Sequence, residues 1–343
     1  MKPSLTVKLF FVMMKGMKQI EQTSPRVLVL VDNRRGNANQ AIDLAEKLGE
    51  KFEIKTIKYN IFGKLPNFFL SLFPIHVKKS ILLHFKKNTI PEIIISSGRR
   101  TASMAVYLKK LSKGKSKIIQ IMRPNLDPKE FALIILPQHD NFNYTIPNIV
   151  GIIGALTNVQ EKVAKNKDEF DAKYPDIKKF IAVIIGGSTK KYTLTLENAK
   201  LLEGIISKVV ESHALPLFIT FSRRTPANVK KYFREKFSEP NIIYDVVDAG
   251  PNPYPVILQK AEYIISTTDS ISMCSESAST GKPVYIFCPA NFKLKKHNFF
   301  IQQLVDLGMV RRLEATTYYL EKYEYKPLSE LNRVVNFIKE KIL

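Results

Sequence analysis

The sequence predicts an α/β protein of two Rossmann-like domains that face each other across a cleft. From residue 25 onward, short runs of β-branched and other apolar residues alternate with longer amphipathic segments, which is typical of parallel sheets with helical crossovers. The alternation restarts near Ile177, after a charged helical segment at Gln160–Lys179. A chain of 343 residues is also too long for one ordinary core.

The first half contains six predicted strands. Arg26–Asp32 reads RVLVLVD, a nearly continuous apolar run as expected of a parallel strand that is buried on both faces. The other five are Phe52–Ile57, Glu92–Ser96, Lys117–Ile121, Leu133–Leu136 and Asn148–Gly151. Helical spacing predicts helices at Asn39–Glu50, Arg99–Leu111 and Val159–Tyr174. We therefore assign 25–165 to an N-terminal domain that follows a loose leader at 1–24.

The second half repeats the pattern, and we assign 166–343 to a C-terminal domain. Its predicted strands are Phe180–Ile185, Pro216–Phe221, Ile242–Asp245, Tyr263–Ser266 and Val284–Phe287. Its predicted helices are Leu194–Ser212, Pro226–Phe237, Pro253–Lys260, Ile271–Thr280, Lys296–Leu307 and Leu328–Leu343. In such sheets ligands bind beyond the carboxyl ends of the strands, so the loops at those ends form the candidate site.

The net charge of +22, from 53 Lys and Arg against 31 Asp and Glu, favours an anionic partner such as a phosphorylated ligand or an acidic membrane surface. A lysine-rich composition explains this excess without any partner, so that alternative stays open. The chain has no zinc-finger spacing, RNP-like strand or basic heptad region, and we predict no nucleic-acid partner. Two cysteines cannot form a disulfide framework, and no apolar run reaches about 18 residues, so we expect a cytoplasmic protein without a membrane span.

Two loops of the first half combine glycine with asparagine or arginine. In the loop at 33–40, Gly36 lets the backbone approach a ligand closely, and Asn37 or Asn39 is predicted to cap the next helix. In the loop at 97–101, Arg99 and Arg100 stand at a helix start, where the helix dipole disfavours cations, so a nearby anion is predicted. The alternatives are a capped turn and two solvated arginines.

Two loops of the second half have the composition of a phosphate site. Gly187, Ser188 and Thr189 lie between a strand and a helix, where backbone amides and hydroxyls can contact phosphate oxygens. Arg223 adjoins Arg224 at the next strand end, again where a cation is disfavoured. Paired arginines at two strand ends favour a shared anionic ligand, with a flexible turn as the alternative for the glycine loop.

The segment at 266–284 has the most specific pattern. Asp269 and Ser270 stand at the start of a predicted helix, and Glu276 lies one to two turns inside it. Helix N-terminal amides and hydroxyls hold phosphates, while an ionised carboxylate can accept both hydroxyls of a ribose. We predict a nucleotide here, with Glu276 free of any arginine or lysine partner; the alternative is a capped helix with an exposed glutamate. No Asp-x-Asp follows a predicted strand, so no metal or other cofactor is expected.

The segment Ile61–Lys87 is dense in Phe, Leu and Ile, with lysines clustered at its end. A basic, aromatic amphipathic segment can lie in a membrane interface, which would place the protein peripherally on the inner face of the cytoplasmic membrane. A core helix broken at Pro74 is the alternative.

Together these motifs resemble the mitochondrial fission (elongated-mitochondria) family. The resemblance rests on GNANQ at 36–40, SGRRT at 97–101, RP at 123–124, LPQHD at 136–140, GGST at 186–189, FSRRTP at 221–226, PNP at 251–253 and TDSISM…SE…STGKPV at 268–284. It covers roughly residues 25–315. The chain departs from the family pattern at Ala132 and Ser277. The last of these segments also resembles the nucleotide-sugar signature of GT-B glycosyltransferases.

The resemblance implies a GT-B-type glycosyltransferase that uses a nucleotide-sugar and an envelope lipid or polysaccharide acceptor. The C-terminal domain would hold the donor through Gly187, Ser188, Thr189, Arg223, Asp269, Ser270 and Glu276. Gly36, Asn37 and Arg99 would face the acceptor, and His139 or Asp140 would serve as the base. As in GT-B proteins, the last helix at 328–343 would pack back on the N-terminal domain.

Two other functions follow from the same resemblance. Eukaryotic members of the family recruit a dynamin-like GTPase to mitochondria, which implies a non-enzymatic scaffold on a membrane surface as the alternative. Some bacterial members carry the name of nucleoside-diphosphate-sugar epimerases. We set the epimerase aside at this point, because the chain has no GxGxxG and no clear Tyr-x-x-x-Lys pair.

Overall fold

The structure, a computed structural model, describes residues 26–140, 142, 145–248 and 252–343 and contains two six-stranded parallel sheets. The predicted fold class, two Rossmann-like α/β domains in a GT-B-like arrangement, is confirmed. The predicted leader at 1–24 and Pro251 of the PNP motif lie outside the described residues.

The first sheet has the strand order β2-β1-β3-β4-β5-β6. Its strands are β1 Val27–Val31, β2 Phe52–Thr56, β3 Ile93–Ser97, β4 Lys117–Ile121, β5 Leu133–Pro137 and β6 Ile149–Ile152. Every residue of β1 is buried, and Val29 pairs in register with Ile54 on one side and Ile95 on the other. The unbroken apolar runs of the sequence thus reflect strands that are covered on both faces.

The second sheet has the strand order β12-β11-β10-β7-β8-β9. Its strands are β7 Ile181–Ile185, β8 Leu217–Phe221, β9 Ile242–Asp245, β10 Tyr263–Thr267, β11 Val284–Phe287 and β12 Arg311–Leu313. The last strand was not predicted, because it is three residues long and two of them are arginines. It pairs with β11 and, among the described residues, forms one edge of the sheet.

Eleven helices longer than one turn are present in the described ranges. They are α1 Arg35–Leu48, α2 Asn67–Leu72, α3 Lys79–Lys87, α4 Arg99–Leu111, α5 Val159–Lys173, α6 Leu196–His213, α7 Ala227–Lys236, α8 Tyr254–Lys260, α9 Ile271–Ala278, α10 Lys295–Asp306 and α11 Glu330–Lys341. Helix α1 begins at Arg35, so the predicted caps Asn37 and Asn39 were wrong: both lie inside the helix. The carboxylate of Asp32 instead accepts a hydrogen bond from the backbone N–H of Arg34, at 2.9 Å.

Two helices connect the domains. Helix α11 buries Val334 and Ile338 in the core of the first sheet, against α1, although the chain reaches it from the second domain. Helix α5 buries Phe170 in the core of the second domain and faces α1 with charged residues. Its Lys162 lies 2.7 Å from the carboxylate of Asp43 in the first domain. Helix α5 therefore contacts both domains, and the predicted boundary between residues 165 and 166 falls inside it.

Each sheet has a topological switch point, which is the place where the chain stops adding strands toward one edge of the sheet and starts adding them toward the other edge. In the first sheet it lies between β1 and β3, and in the second between β7 and β10. Ligands of open α/β sheets bind at such points, beyond the strand ends. The two points face each other, because a Cβ on Gly36 at the start of α1 would lie 3.7 Å from the Ser272 hydroxyl at the start of α9. Across the described ranges, no helix is long and apolar enough to cross a bilayer.

Candidate functional site

A cleft of about 880 Å³ lies between the two switch points, within the usual range for small-molecule sites. The first domain contributes the start of α1, including Arg35 and Gly36. The second contributes the ends of β8 and β10 and the first turns of α9, including Arg223, Ser270 and Glu276. The strand-end loops singled out in the sequence therefore do meet, but not all of their residues reach the cleft.

Unpaired positive charge lies on both walls of the cleft. Arg35 and Arg223 line the cleft from different domains, and both residues are exposed. Neither guanidinium forms a hydrogen bond or ion pair with another residue of the described chain. Burial, together with the nearby charges of Arg35 and Arg224, lowers the pKa of Arg223 from its usual value. Like charges held this close favour an anion between them.

The glycine loop after β7 does not present its amides to the cleft. The N–H of Gly187 donates to the Asp269 carboxylate at 2.7 Å, and the N–H of Gly186 donates to the Thr267 hydroxyl at 2.8 Å. The amides of Ser188 and Thr189 donate to the backbone carbonyls of Arg224 and Tyr192.

The predicted phosphate contacts from the backbone of this loop are therefore corrected. All four amides are used to pack the loop against its neighbours. Of the predicted Gly187, Ser188 and Thr189, only Thr189 lines the cleft. The Ser188 hydroxyl is also engaged, because it accepts the backbone N–H of Leu194 at 3.1 Å.

Asp269 organises the end of the second switch point. Its buried carboxylate accepts hydrogen bonds from the Gly187 amide and from the Thr267 hydroxyl, each at 2.7 Å, and lies 3.4 Å from the Arg224 guanidinium. Burial raises the pKa of Asp269, and these three donors oppose the rise. Asp269 lines the cleft, and these contacts give it a role in positioning the surrounding loops, while its contact with a nucleotide stays a prediction.

We expect Asp269→Asn to lower the free energy of unfolding by about 1–3 kcal/mol, because the amide cannot accept from both donors and loses the ion pair to Arg224. Urea denaturation monitored by circular dichroism measures this change. Asp176→Asn is the matched control, since Asp176 is exposed and has no hydrogen bond or ion pair within the described chain. Equal midpoints for the two variants would contradict the role given to Asp269.

Glu276 lies on the cleft wall, as predicted, and forms no ion pair with a described arginine or lysine. It is not without a partner, however, because the Tyr254 hydroxyl donates to its Oε2 at 3.0 Å. Burial raises the pKa of Glu276 to about 7, with a smaller contribution from Asp43, while Lys162 and Tyr254 act against the rise. One carboxylate oxygen is left to accept hydroxyl groups of a ligand.

The predicted residues of the first domain separate into two groups. Gly36 lies in the cleft, whereas the Asn37 side chain packs against Gly98. A Cβ added to Gly98 would lie 2.5 Å from the side-chain nitrogen of Asn37. Arg99 does not face the cleft, which corrects its predicted role. Its guanidinium donates to the backbone carbonyls of Gly63 and Leu65 and to the Asn67 side chain, at 2.7–3.0 Å.

His139 and Asp140, the predicted bases, also lie outside the cleft lining. They form a 3₁₀ turn that packs on α10, where the His139 ring contacts Phe300 and Asp140 is paired with Lys296 at 2.6 Å. Burial lowers the pKa of His139 to about 4. The physical reason for the correction is that this turn packs on a helix of the other domain, where Asp140 is ion-paired and the His139 ring lies against Phe300.

His297 is a cleft residue that the sequence did not indicate. It lies near the start of α10 and is half-buried. Burial lowers its pKa, and the charges of Arg224 and Lys296 act in the same direction, so the surroundings favour the neutral imidazole. A neutral imidazole in a ligand cleft can accept a proton.

Comparison with known proteins decides the family. The model of the mitochondrial fission ELM1 family matches residues 35–342. The chain belongs to this family. An uncharacterized protein of Rickettsia prowazekii (strain Madrid E) is 41% identical over 345 residues, covering 91% of this chain and 97% of that protein. The mitochondrial fission protein ELM1 of Arabidopsis thaliana is 26% identical over 278 residues, covering 74% of this chain and 64% of that protein.

Solved structures share the architecture of this family member. The UDP-GlcNAc 2-epimerase of Methanocaldococcus jannaschii superposes with a TM-score of 0.58 at 14% identity, over 92% of this chain and 99% of that one. At this identity the likeness shows the fold alone.

Several cleft residues of this ELM1 family member escaped the sequence prediction, among them Arg35, Tyr254 and His297. Arg35 lies in the loop at 33–40, so the same argument that indicated Gly36 and Asn37 also applied to it. Tyr254 follows the PNP motif directly, but nothing local indicates that its hydroxyl reaches Glu276, 22 positions later. In the described part of the chain, no group of three or more His, Cys, Asp or Glu could hold a metal ion.

Proposed function

We propose that the cleft binds a nucleoside-diphosphate sugar and that the protein transfers the sugar to an envelope lipid or polysaccharide acceptor. The observation that carries this proposal is that one cleft contains two arginines without an ion-pair partner in the described chain, Arg35 and Arg223, together with the carboxylate of Glu276. A diphosphate supplies the anion that the arginines lack. A ribose supplies hydroxyl donors for the free oxygen of Glu276.

In the transfer step, the bond between the sugar C1 and the diphosphate breaks and a bond from C1 to the acceptor oxygen forms. The nucleoside diphosphate leaves with the bonding electrons, and positive charge from Arg35 and Arg223 stabilises the charge that develops on it. The acceptor hydroxyl loses its proton to a base. Our candidate for that base is His297, because it lines the cleft and its surroundings lower its pKa and so favour the neutral imidazole.

The first test is binding. We expect UDP or UDP-GlcNAc, within a panel of nucleotides and nucleotide-sugars, to raise the melting temperature of the protein. Arg223→Ala should weaken that binding by about 1.5–3 kcal/mol, the usual contribution of a charged hydrogen bond, as measured by titration calorimetry. Arg312→Ala is the control, because Arg312 is exposed and outside the cleft lining. If no member of the panel binds, the scaffold function of the family is favoured instead.

The second test separates transfer from epimerisation, which the shared fold of the M. jannaschii enzyme supports as the other candidate. A transferase releases the nucleoside diphosphate only when an acceptor is present. An epimerase converts UDP-GlcNAc alone into its C2 epimer. Product analysis by NMR, with and without a membrane extract as the acceptor source, distinguishes the two reactions.

A further inference from the structure

One segment of the first domain concentrates exposed apolar side chains. Half of the large apolar side chains that are exposed in the described ranges fall between Ile61 and Leu83. Ile61 is 81% exposed, Phe68 63% and Phe73 65%. Contiguous patches of this kind mark interaction sites. We call Ile61, Phe62, Phe68, Phe69 and Phe73 the apolar surface.

The apolar surface is held in place by the protein. Arg99 donates to the carbonyls of Gly63 and Leu65, and the amide of Asn67 donates to the carbonyls of Arg99 and Pro124 at 2.6 and 2.5 Å. On the inner side of α2, Leu70 and Ser71 are buried. The outward direction of the aromatic rings is therefore built into the fold, and the core helix predicted as the alternative for this segment is wrong for these side chains.

The charge around the apolar surface has one sign. Residues 54–91 include seven lysines and no Asp or Glu. Lys64, Lys78 and Lys79 are exposed beside the apolar surface, and none of them forms an ion pair within the described chain. Apolar rings surrounded by lysines complement the acyl boundary and the anionic headgroups of a bilayer.

The position of the apolar surface relates it to the cleft. It follows the carboxyl end of β2, the edge of the sheet that faces the cleft. Its anchor Arg99 adjoins Gly98, which packs against Asn37 in the first turn of α1. The same turn contributes Arg35 and Gly36 to the cleft lining. The apolar surface is thus connected to one wall of the cleft through Arg99, Gly98 and the first turn of α1.

We propose that the apolar surface docks the protein on an anionic lipid bilayer, with the aromatic rings in the interface and the lysines on the headgroups. Docking is independent of nucleotide binding, so either proposal can fail without the other. If both hold, the acceptor of the transfer reaction is a lipid-linked molecule that enters the cleft from the membrane.

Co-sedimentation with lipid vesicles tests this proposal on the full chain. We expect binding to vesicles of phosphatidylcholine mixed with phosphatidylglycerol, weaker binding at high salt, and little binding to phosphatidylcholine alone. The triple variant Phe68→Ser, Phe69→Ser, Phe73→Ser should bind at least about ten-fold more weakly. Phe299→Ser is the matched control, because Phe299 is 52% exposed on α10 of the other domain.

A fluorescence measurement makes the result specific to the surface. The chain contains no tryptophan, so Phe69→Trp introduces a single reporter. Its emission should shift to the blue when anionic vesicles are added, whereas that of Tyr318→Trp should not. Vesicle binding that the triple variant retains would overturn the proposal, as would the absence of any binding. If the parent forms a concentration-dependent dimer but does not bind vesicles, and the triple variant does not dimerise, the surface contacts a second copy of the chain instead.

Discussion

Replacing Gly187 with alanine is expected to lower the free energy of unfolding by about 3 kcal/mol, the upper part of the range for overpacking a tight site. A Cβ at this position would lie 2.1 Å from the backbone carbonyl carbon and oxygen of Arg224 and 2.4 Å from the backbone nitrogen of Thr225. These atoms belong to the backbone of the loop after β8, so no side-chain rotation can relieve the contact. The loops after β7 and β8 would have to separate.

The separation would also affect the cleft. The Ser188 amide donates to the carbonyl of Arg224 at 3.1 Å, and Arg223 is the preceding residue. We therefore expect Gly187→Ala to weaken nucleotide binding even at temperatures where the variant is folded. Chemical denaturation and titration calorimetry measure the two effects separately.

Gly204→Ala is the matched control for this substitution. Gly204 lies inside helix α6, and a Cβ there would meet no other atom within 4 Å. Alanine is favoured over glycine in a helix interior, so this variant should be stabilised by roughly 0.5–1 kcal/mol. A Gly187→Ala protein that unfolds at the same denaturant concentration as the parent would show that the loops adjust freely, contrary to the packing described above.

Replacing Glu276 with glutamine is expected to weaken binding of a nucleotide ligand by about 1–3 kcal/mol, because a neutral amide is a poorer acceptor for ribose hydroxyls than a carboxylate. The hydrogen bond from the Tyr254 hydroxyl can be kept, since the glutamine oxygen also accepts. The variant should therefore fold like the parent. Calorimetric titration with UDP, at a pH of about 8 where the parent carboxylate is ionised, measures the loss.

The pH dependence of the same residue has a defined sign. The folded-state pKa of Glu276 is raised to about 7 by burial, so the carboxylate takes up a proton as the pH falls through this value. Nucleotide affinity of the parent should decline over that range, whereas the affinity of Glu276→Gln should stay flat. In the free protein, the stability associated with the raised pKa is present below the unfolded-state pKa and is lost as the pH rises through about 7.

Glutamine does not titrate, so the unfolding free energy of Glu276→Gln should not show this decrease with rising pH. Relative to the parent, the variant should therefore become more stable between about pH 5 and pH 8. Glu314→Gln serves as the control, because Glu314 is exposed and lies outside the cleft lining. Parallel pH profiles for the parent and Glu276→Gln, in both binding and stability, would show that Glu276 neither titrates near neutrality nor contacts the ligand.

The loops of the candidate site were predictable because strands buried on both faces leave unbroken apolar runs. RVLVLVD at 26–32 is such a run, and β1 lies within it. Once the strands are located, the general rule for open α/β sheets points to the residues just after them. Gly36, Arg223, Ser270 and Glu276 were found in this way, and all four line the cleft.

The partners of those residues were not predictable from local sequence. Arg99 and Arg223 stand in nearly the same context, SGRRT and FSRRT, after the ends of their strands. Arg99 is held by the carbonyls of Gly63 and Leu65, which a long excursion after β2 brings to it, whereas Arg223 meets open cleft. Which arginine remains free for an anion depends on contacts more than 30 positions away.

Alone, the sequence determined the α/β class, the two repeated units and the places where loops follow strands, because these depend on periodic apolar residues over short distances. Only the tertiary structure decided that Asp269 binds the Gly187 amide, 82 positions earlier, that His297 lines the cleft, and that His139 does not. The reason is that a polar group forms its hydrogen bond with whichever donor or acceptor the packing brings within reach. Parallel strands such as β7 and β10 are neighbours in the sheet although they are far apart along the chain.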